Sequence, residues 1–228
     1  MPMLNDAHSI SELFPGVEVF AALAPVDAGL DDLLPEERAA VAGAVPKRRR
    51  EFAAGRTLAR RLLADLGVPD EPLLNDDDRV PRWPPGIVGS IAHCDTLCIV
   101  AVARTGAGVR GIGLDIEPHA PLESELWPTV ARPEELAWIR AQTAGNPGRA
   151  ARLHFAAKEA VYKSVYPAIR RSLEFDEVAL NFNLADRRFT YRLLPRDSGA
   201  WRQVPATGAG RWIEHAGHLV TAVNWAAG

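Results

Sequence analysis

The chain of 228 residues is poor in cysteine, with only Cys94 and Cys98, and it has two methionines. Two cysteines cannot build a disulfide framework, so the fold has to rest on its core. With no second pair they do not complete a zinc site either, and they read as small apolar strand residues. Aromatic residues are sparse, at 7%. The longest clean apolar run, Leu97–Ala103, falls far short of the ~18 residues of a membrane-spanning helix. The first residues, Met1-Pro-Met-Leu-Asn-Asp-Ala-His8, carry no basic and then apolar segment of the kind that marks a secretory signal. Neither charge dominates, since 26 Lys+Arg face 29 Asp+Glu for a net charge of −3. Such a balance argues against a surface built for a polyanion. No Walker loop, nucleophile elbow or dinucleotide fingerprint is present. With 47% hydrophobic residues, the chain reads as a globular protein of one large domain or two small ones, cytoplasmic and reduced, with no membrane contact.

What charge there is lies unevenly. Between Pro46 and Arg61 stand Lys47, Arg48, Arg49, Arg50, Arg56, Arg60 and Arg61 against the single acid Glu51. Such a cluster in a mildly acidic chain is either a solvated helix face or a local anion site. Helical periodicity predicts that these residues lie on a long helix, Pro46–Leu66, stopped by Gly67. Arg49, Arg56 and Arg60 then share a face, and Arg48 is near enough to Arg56 to approach the same ligand.

The remaining elements are a buried strand at Val17–Leu23, a short helix from Pro35, and a Pro- and Asp-rich loop over Val68–Gly86. A hairpin of Val88–His93 and Thr96–Arg104 turns at Cys94-Asp95. A break at Thr105–Gly108 precedes a strand at Val109–Ile116. Helices follow at Pro133–Gln142 and Arg149–Tyr166, separated by Gly145–Gly148. Strands are expected at Glu177–Asn183, Arg188–Leu194, Arg211–His215 and His218–Trp225. No repeat is visible in the sequence, but each half runs from helix to a β-rich stretch, which points to α+β and not to a doubly wound parallel sheet.

Three short stretches carry chemistry. In Gly111-Ile-Gly-Leu-Asp115-Ile-Glu117, strand alternation puts Asp115 and Glu117 on one face and Leu114 and Ile116 on the other. Paired carboxylates either sit in solvent or hold a hard cation such as Mg²⁺, which completes its shell with water and substrate phosphates. In Ala157-Lys158-Glu159-Ala-Val-Tyr-Lys163, Glu159 and Lys163 are helix neighbours at i and i+4, with Lys158 at the edge of the polar face. They form an ordinary surface ion pair, or Glu159 serves as ligand or base while the lysines meet phosphate. Ser90 and His93 sit at the start of the hairpin, where Gly89-Ser90 allows close backbone approach to a ligand.

The order of these pieces is more specific than any one of them. A basic helix, then Trp83-Pro-x-Gly-x-x-Gly-Ser90-x-x-His93, then Gly-x-Asp115-x-Glu117, then Ala-Lys158-Glu159-Ala-x-Tyr-Lys163, resembles the 4′-phosphopantetheinyl transferase superfamily over roughly residues 47–182. The likeness is strongest to the enterobactin synthase component D and actinobacterial branch. The resemblance implies a pseudo-dimeric fold of two similar α/β halves, residues 1–108 and 109–228, with the active site in the cleft between them. It implies transfer of the phosphopantetheine arm of coenzyme A to a serine of an apo acyl or peptidyl carrier protein, releasing adenosine 3′,5′-bisphosphate, by a monomer using Mg²⁺ or Mn²⁺. By the same resemblance Asp115 and Glu117 hold the metal, and Glu159 is its third ligand, the base, or both. Lys158 and Lys163 lie at the pyrophosphate, Arg48 and Arg56 take the 3′-phosphate, Arg49 joins the coenzyme A-binding set, and Ser90 and His93 take coenzyme A phosphates, with Lys158, Lys163 and His93 counted beside Glu159 among the catalytic residues. Arg170 and Arg171 are candidates for an acidic carrier surface. One departure stands out, since relatives often place a Lys and glycines where this chain has Asn75-Asp76-Asp77-Asp78-Arg79. The rival readings are a Mg²⁺-dependent phosphohydrolase of coenzyme A or nucleotides, using the same carboxylates, and a nucleic-acid-binding module on residues 47–61. The net negative charge disfavours the second rival.

Overall fold

The computed structural model describes residues 10–142, 146–194 and 200–226. The reading of the N-terminal residues and the placing of Gly145 in a loop lie outside them. The chain divides into two compact units, Met1–Val109 and Arg110–Gly228, and its architecture is α+β with antiparallel sheets. No helix among the described residues is long and apolar enough to cross a membrane.

The first unit holds β1 (Phe20–Pro25), α1 (Pro35–Ala40), α2 (Pro46–Asp65), β2 (Ile87–His93) and β3 (Leu97–Arg104). Its sheet has the order β1-β3-β2, antiparallel throughout. β1 starts three residues later than the periodicity suggests, because Val17 is tied back to the Phe14 carbonyl in a turn around Gly16, at φ +76°. α2 lays Ala54, Leu58, Leu62 and Leu63 on the sheet beside Ile87 and Val100. Gly55 lets the helix come close to Ile91, whose methyl carbon would lie 3.0 Å from a Cβ there. The helix stops where Gly67 turns left-handed at φ +72°, as a glycine just past a helix end does.

The second unit holds β4 (Val109–Pro118), α3 (Trp127–Val130), α4 (Pro133–Ala141), α5 (Pro147–Ile169), and β5 to β8 (Val178–Asn183, Arg188–Leu193, Thr207–His215, His218–Ala226). Its five strands run in the order β4-β8-β7-β6-β5. α5 starts with Pro147 after Asn146, whose Oδ1 accepts the Gly148 amide at 2.9 Å. It runs one turn beyond the expected end at Tyr166, carrying Pro167 in its last turn. A proline there gives up the bond to the carbonyl four residues back and crowds that carbonyl. Ala157, Val161 and Val165 pack over Phe189, Tyr191 and Val223, and β8 ties the helix down twice. Thr221 Oγ1 donates to the Ala156 carbonyl at 2.8 Å and Trp225 Nε1 to that of Ser164 at 2.9 Å.

Both units use the same device. A helix opens with Pro-Glu-Glu, and its second glutamate is buried: Glu37 in α1 and Glu135 in α4. One carboxylate oxygen accepts the amide that precedes the proline, from Leu34 at 3.1 Å and from Arg132 at 2.8 Å. That same oxygen takes a cation from the long helix, 23 residues on in both cases: Arg60 for Glu37, Lys158 for Glu135. The other oxygen accepts the amide of a later segment, Leu73 at 2.9 Å and Leu180 at 2.7 Å. The sequence reading finds no repeat because the matching residues are so few.

His154, on α5, is buried among Trp138 and Phe182, with Nδ1 2.9 Å from the Ala150 carbonyl. Burial pushes its pKa down to about 4, so the folded protein resists protonation that the unfolded chain accepts below about 6.5. The contribution is intact above pH 6.5 and is lost as pH falls toward 4, by about 3 kcal/mol. Urea unfolding at pH 7 and pH 4 will show the wild type losing about that much more stability than His154→Phe.

Candidate active site

On β4 the face that carries Asp115 and Glu117 also carries Gly111 and Gly113, and it lies on α5. Asp115 is buried, and its Oδ1 accepts from Lys163 Nζ at 2.5 Å. Its Oδ2 is buried with no hydrogen-bond partner, an arrangement that costs several kcal/mol unless something fills it, roughly 1–3 or more for a charged group. Glu117 Oε2 accepts from Arg152 Nη1 at 2.9 Å. Burial, reinforced by Asp115, pushes Glu117 up to about 7 against the pull of Arg152 and Lys163. Burial also raises Glu159, which Lys163 pulls back and Asp115 raises further. Burial pulls Lys163 down, but Asp115, Glu159 and Glu117 together hold it above the ordinary lysine range. Asp115, Glu117, Glu159 and Lys163 therefore form one electrostatic cluster. Among the described residues no three His, Cys, Asp or Glu side chains are gathered tightly enough to grip a metal ion.

Lys158 does not join them. It is 1% exposed, and its ammonium donates to Glu135 Oε2 at 2.7 Å and to the Phe175 carbonyl at 2.8 Å. The expectation of a lysine at the edge of the polar face is corrected: neighbouring helix positions lie about 100° apart, so Glu159 and Lys158 face different ways. The signal was available, because Lys158 falls between His154, Val161 and Val165 on the buried stripe.

In the first unit Arg48 and His93 come together, with Arg48 Nη1 3.2 Å from His93 Nε2 and both near Glu51, at 3.6 Å. Beside them Lys47 pairs with Asp95 at 2.5 Å. Arg56 is buried under the ring face of Phe52, and its guanidinium donates to the Leu73 carbonyl at 2.6 Å and to Asn75 Oδ1. Among the described residues no carboxylate is in ion-pair contact with it. Burial brings it down to about 10, Glu37 opposing, while Arg48 adds repulsion. The two arginines are thus close enough to feel one another, as the spacing predicts. Arg49 does not join them, because its guanidinium closes onto the Ala44 and Ala42 carbonyls before the helix, and Arg60 goes to Glu37. Ser90 is buried and lies an odd number of residues from His93, so it faces the other side of β2. Asn75 and Pro81 form an isolated bridge, and Asp76 Oδ1 accepts the amides of Asp78 and Val80. The Asp-rich stretch is therefore a closed turn, and sequence reasoning missed that Asn75 anchors it to Arg56. Of the two arginines proposed for a partner surface, Arg171 is half-buried against Glu177 at 3.0 Å and over Trp201, while Arg170 is exposed.

Comparison with known proteins matches residues 36–103 to the 4′-phosphopantetheinyl transferase N-terminal domain and residues 111–223 to the 4′-phosphopantetheinyl transferase superfamily. The chain is 42% identical over 197 residues to the 4′-phosphopantetheinyl transferase Svp of Streptomyces mobaraensis, covering 86% of this chain and 79% of that protein. It is 37% identical over 194 residues to the 4′-phosphopantetheinyl transferase PptT of Mycobacterium tuberculosis, covering 83% and 85%. It is 37% identical over 120 residues to the enterobactin synthase component D of Salmonella typhimurium, covering 52% and 48%.

If Lys158 is a structural cation, removing it leaves Glu135 charged in the interior. Lys158→Met is expected to lower unfolding stability by about 3–5 kcal/mol, the cost of breaking a buried pair from one side. Urea unfolding checks it. A loss under about 1 kcal/mol, within the range of an exposed pair, would contradict the buried placement.

Proposed function

Because the chain belongs to the 4′-phosphopantetheinyl transferase superfamily, we propose that it moves the phosphopantetheine arm of coenzyme A to a serine hydroxyl on an apo carrier protein, with adenosine 3′,5′-bisphosphate as the leaving group. The observation that carries the reading is buried charge left for a ligand, most clearly the Asp115 oxygen that has no hydrogen-bond partner. In the other unit a buried arginine has no carboxylate contact among the described residues. The arginine suits phosphate, and the aspartate oxygen suits a cation.

Arg48, His93 and Arg56 take phosphates of the nucleotide end, where charge-assisted bonds are strongest. Ser90, facing away from His93, has at most a separate contact. Asp115 and Glu117 would hold Mg²⁺, water and phosphate oxygens completing its shell, with Glu159 as base, third ligand or both. Their all-oxygen donor set and the unpartnered Asp115 Oδ2 fit a hard cation. When bound, the ion offsets negative charge on the pyrophosphate oxygens. Glu159, raised by burial, is suited to accept the proton of the serine hydroxyl as that oxygen bonds to phosphorus. Lys163 stays protonated and offers a cation to the phosphates. Lys158, locked to Glu135, fixes the rotation of α5 and so the direction of Glu159. The shared Pro-Glu-Glu device supports reading the two units as versions of one module. We place the enzyme in the cytoplasm, where coenzyme A and carrier proteins meet.

Intact mass of an apo carrier protein after incubation with the enzyme, coenzyme A and Mg²⁺ is expected to rise by one phosphopantetheine. Asp115→Asn and Glu159→Gln should each slow this at least about 100-fold. Arg48→Ala should raise KM for coenzyme A about tenfold with little change in kcat, as loss of a charge-assisted bond does. Cleavage of coenzyme A with no gain of mass on acyl or peptidyl carriers would replace the transferase reading with the hydrolase.

A further inference from the structure

The contacts between β4 and α5 follow a regular ladder. A Cβ on Gly111 would overlap Trp225 Nε1 and come within 2.5 Å of the Ser164 carbonyl oxygen. A Cβ on Gly113 would overlap the Ala160 carbonyl oxygen and come within 2.7 Å of the Ser164 amide nitrogen. Further along the strand, Glu117 meets Arg152. Strand residues 111, 113 and 117 thus match helix residues 164, 160 and 152, and the two elements run antiparallel. The spacing agrees with their geometry: two strand residues advance about 6.6 Å and four helix residues about 6 Å. At the two glycines nothing but hydrogen separates the strand from the helix backbone.

From this ladder we propose that Gly113 is a positioning residue for the metal site, resting on the reading given above. Its missing side chain sets the distance between the strand that carries Asp115 and Glu117 and the helix that carries Glu159 and Lys163. The obstructing atoms are helix backbone, so no rotamer change relieves them. A methyl group at 113 has to push α5 off β4 near Ala160, next to Glu159. The Trp225 bond to the Ser164 carbonyl clamps the same stretch from β8. Lys163 can follow a small shift with its long side chain, whereas Glu159 and Asp115 have shorter reach.

The test separates positioning from general damage by means of Gly210 on β7, in the same sheet. A Cβ on Gly210 would overlap the Phe189 ring and come within 2.6 Å of the Ala222 carbonyl oxygen, yet Gly210 is two strands from β4. Mn²⁺ binding in the presence of saturating coenzyme A is followed by loss of the free-ion electron paramagnetic resonance signal, together with thermal unfolding. Gly113→Ala should weaken Mn²⁺ binding about tenfold or more, the range for residues that orient metal ligands. Gly210→Ala should lower the melting temperature comparably and leave Mn²⁺ binding unchanged. If Gly113→Ala binds Mn²⁺ as the wild type does, or if both variants weaken it equally, the positioning role is overturned. If the wild type itself binds no Mn²⁺, the metal reading falls and takes this role with it. Should Gly113→Ala fail to fold, Trp225→Phe keeps the ring and removes the clamp. Weakened Mn²⁺ binding there supports the role, and unchanged binding overturns it.

Discussion

A carboxylate buried at the third position of a short helix has to find partners for both oxygens, and in each unit that need ties three segments together. Glu37 joins α1, α2 and the segment at Leu73. Glu135 joins α4, α5 and β5. Neither glutamate is a strong source of net stability, since desolvation offsets most of the attraction in a buried ion pair. What each supplies is registry. A long helix is held in rotation and in height against its unit by a buried ion pair.

That fixation explains the division of labour along α5. Lys158 points inward to Glu135, and the next residue, about 100° round the helix, points toward β4. Glu159 and Lys163, one turn apart, then share the face that meets Asp115. The Lys-Glu pair in the sequence is thus a hinge between two environments. One side is a satisfied interior pair. On the other, carboxylates crowd together, so that burial and mutual repulsion raise Glu117 and Glu159 while their combined field keeps Lys163 charged. Tilting or rotating the helix would disturb both sides together.

Much of this was legible from periodicity and punctuation. The hairpin, the long basic helix and the α5 segment follow from apolar spacing, and Gly67 marks where α2 stops. The common face of Asp115 and Glu117 follows from strand alternation alone. What the sequence concealed depends on contacts between residues far apart in the chain. Nothing local distinguishes Arg56, buried on Leu73 and Asn75, from Arg49, folded back on the carbonyls of residues 42 and 44. Both belong to the same basic run. The shared device was hidden for a similar reason: its parts lie 23 residues apart, and one unit uses arginine where the other uses lysine. The burial of Lys158 is different, because its place on the apolar stripe gave the signal, and its charge masked it.

The pattern of satisfied and unsatisfied charge bears on how such a site stays folded before ligands arrive. Lys163 covers one oxygen of Asp115, Arg152 covers Glu117, and Glu51 lies beside Arg48 and His93. Under the proposed function, each pairing in the second unit is one that a cation could take over without leaving a bare charge behind, because the released lysine or arginine is itself of the right sign to meet phosphate, whereas a phosphate on Arg48 or His93 would leave Glu51 beside an anion. Lys163, if released from Asp115, would be a cation for phosphate. Two groups are left without such cover: Arg56, with no carboxylate contact among the described residues, and the Oδ2 of Asp115. The burial of each is a cost to the fold, moderated at Arg56 by its bonds to the Leu73 carbonyl and Asn75, and under the proposed function a phosphate at the first and a cation at the second would relieve it.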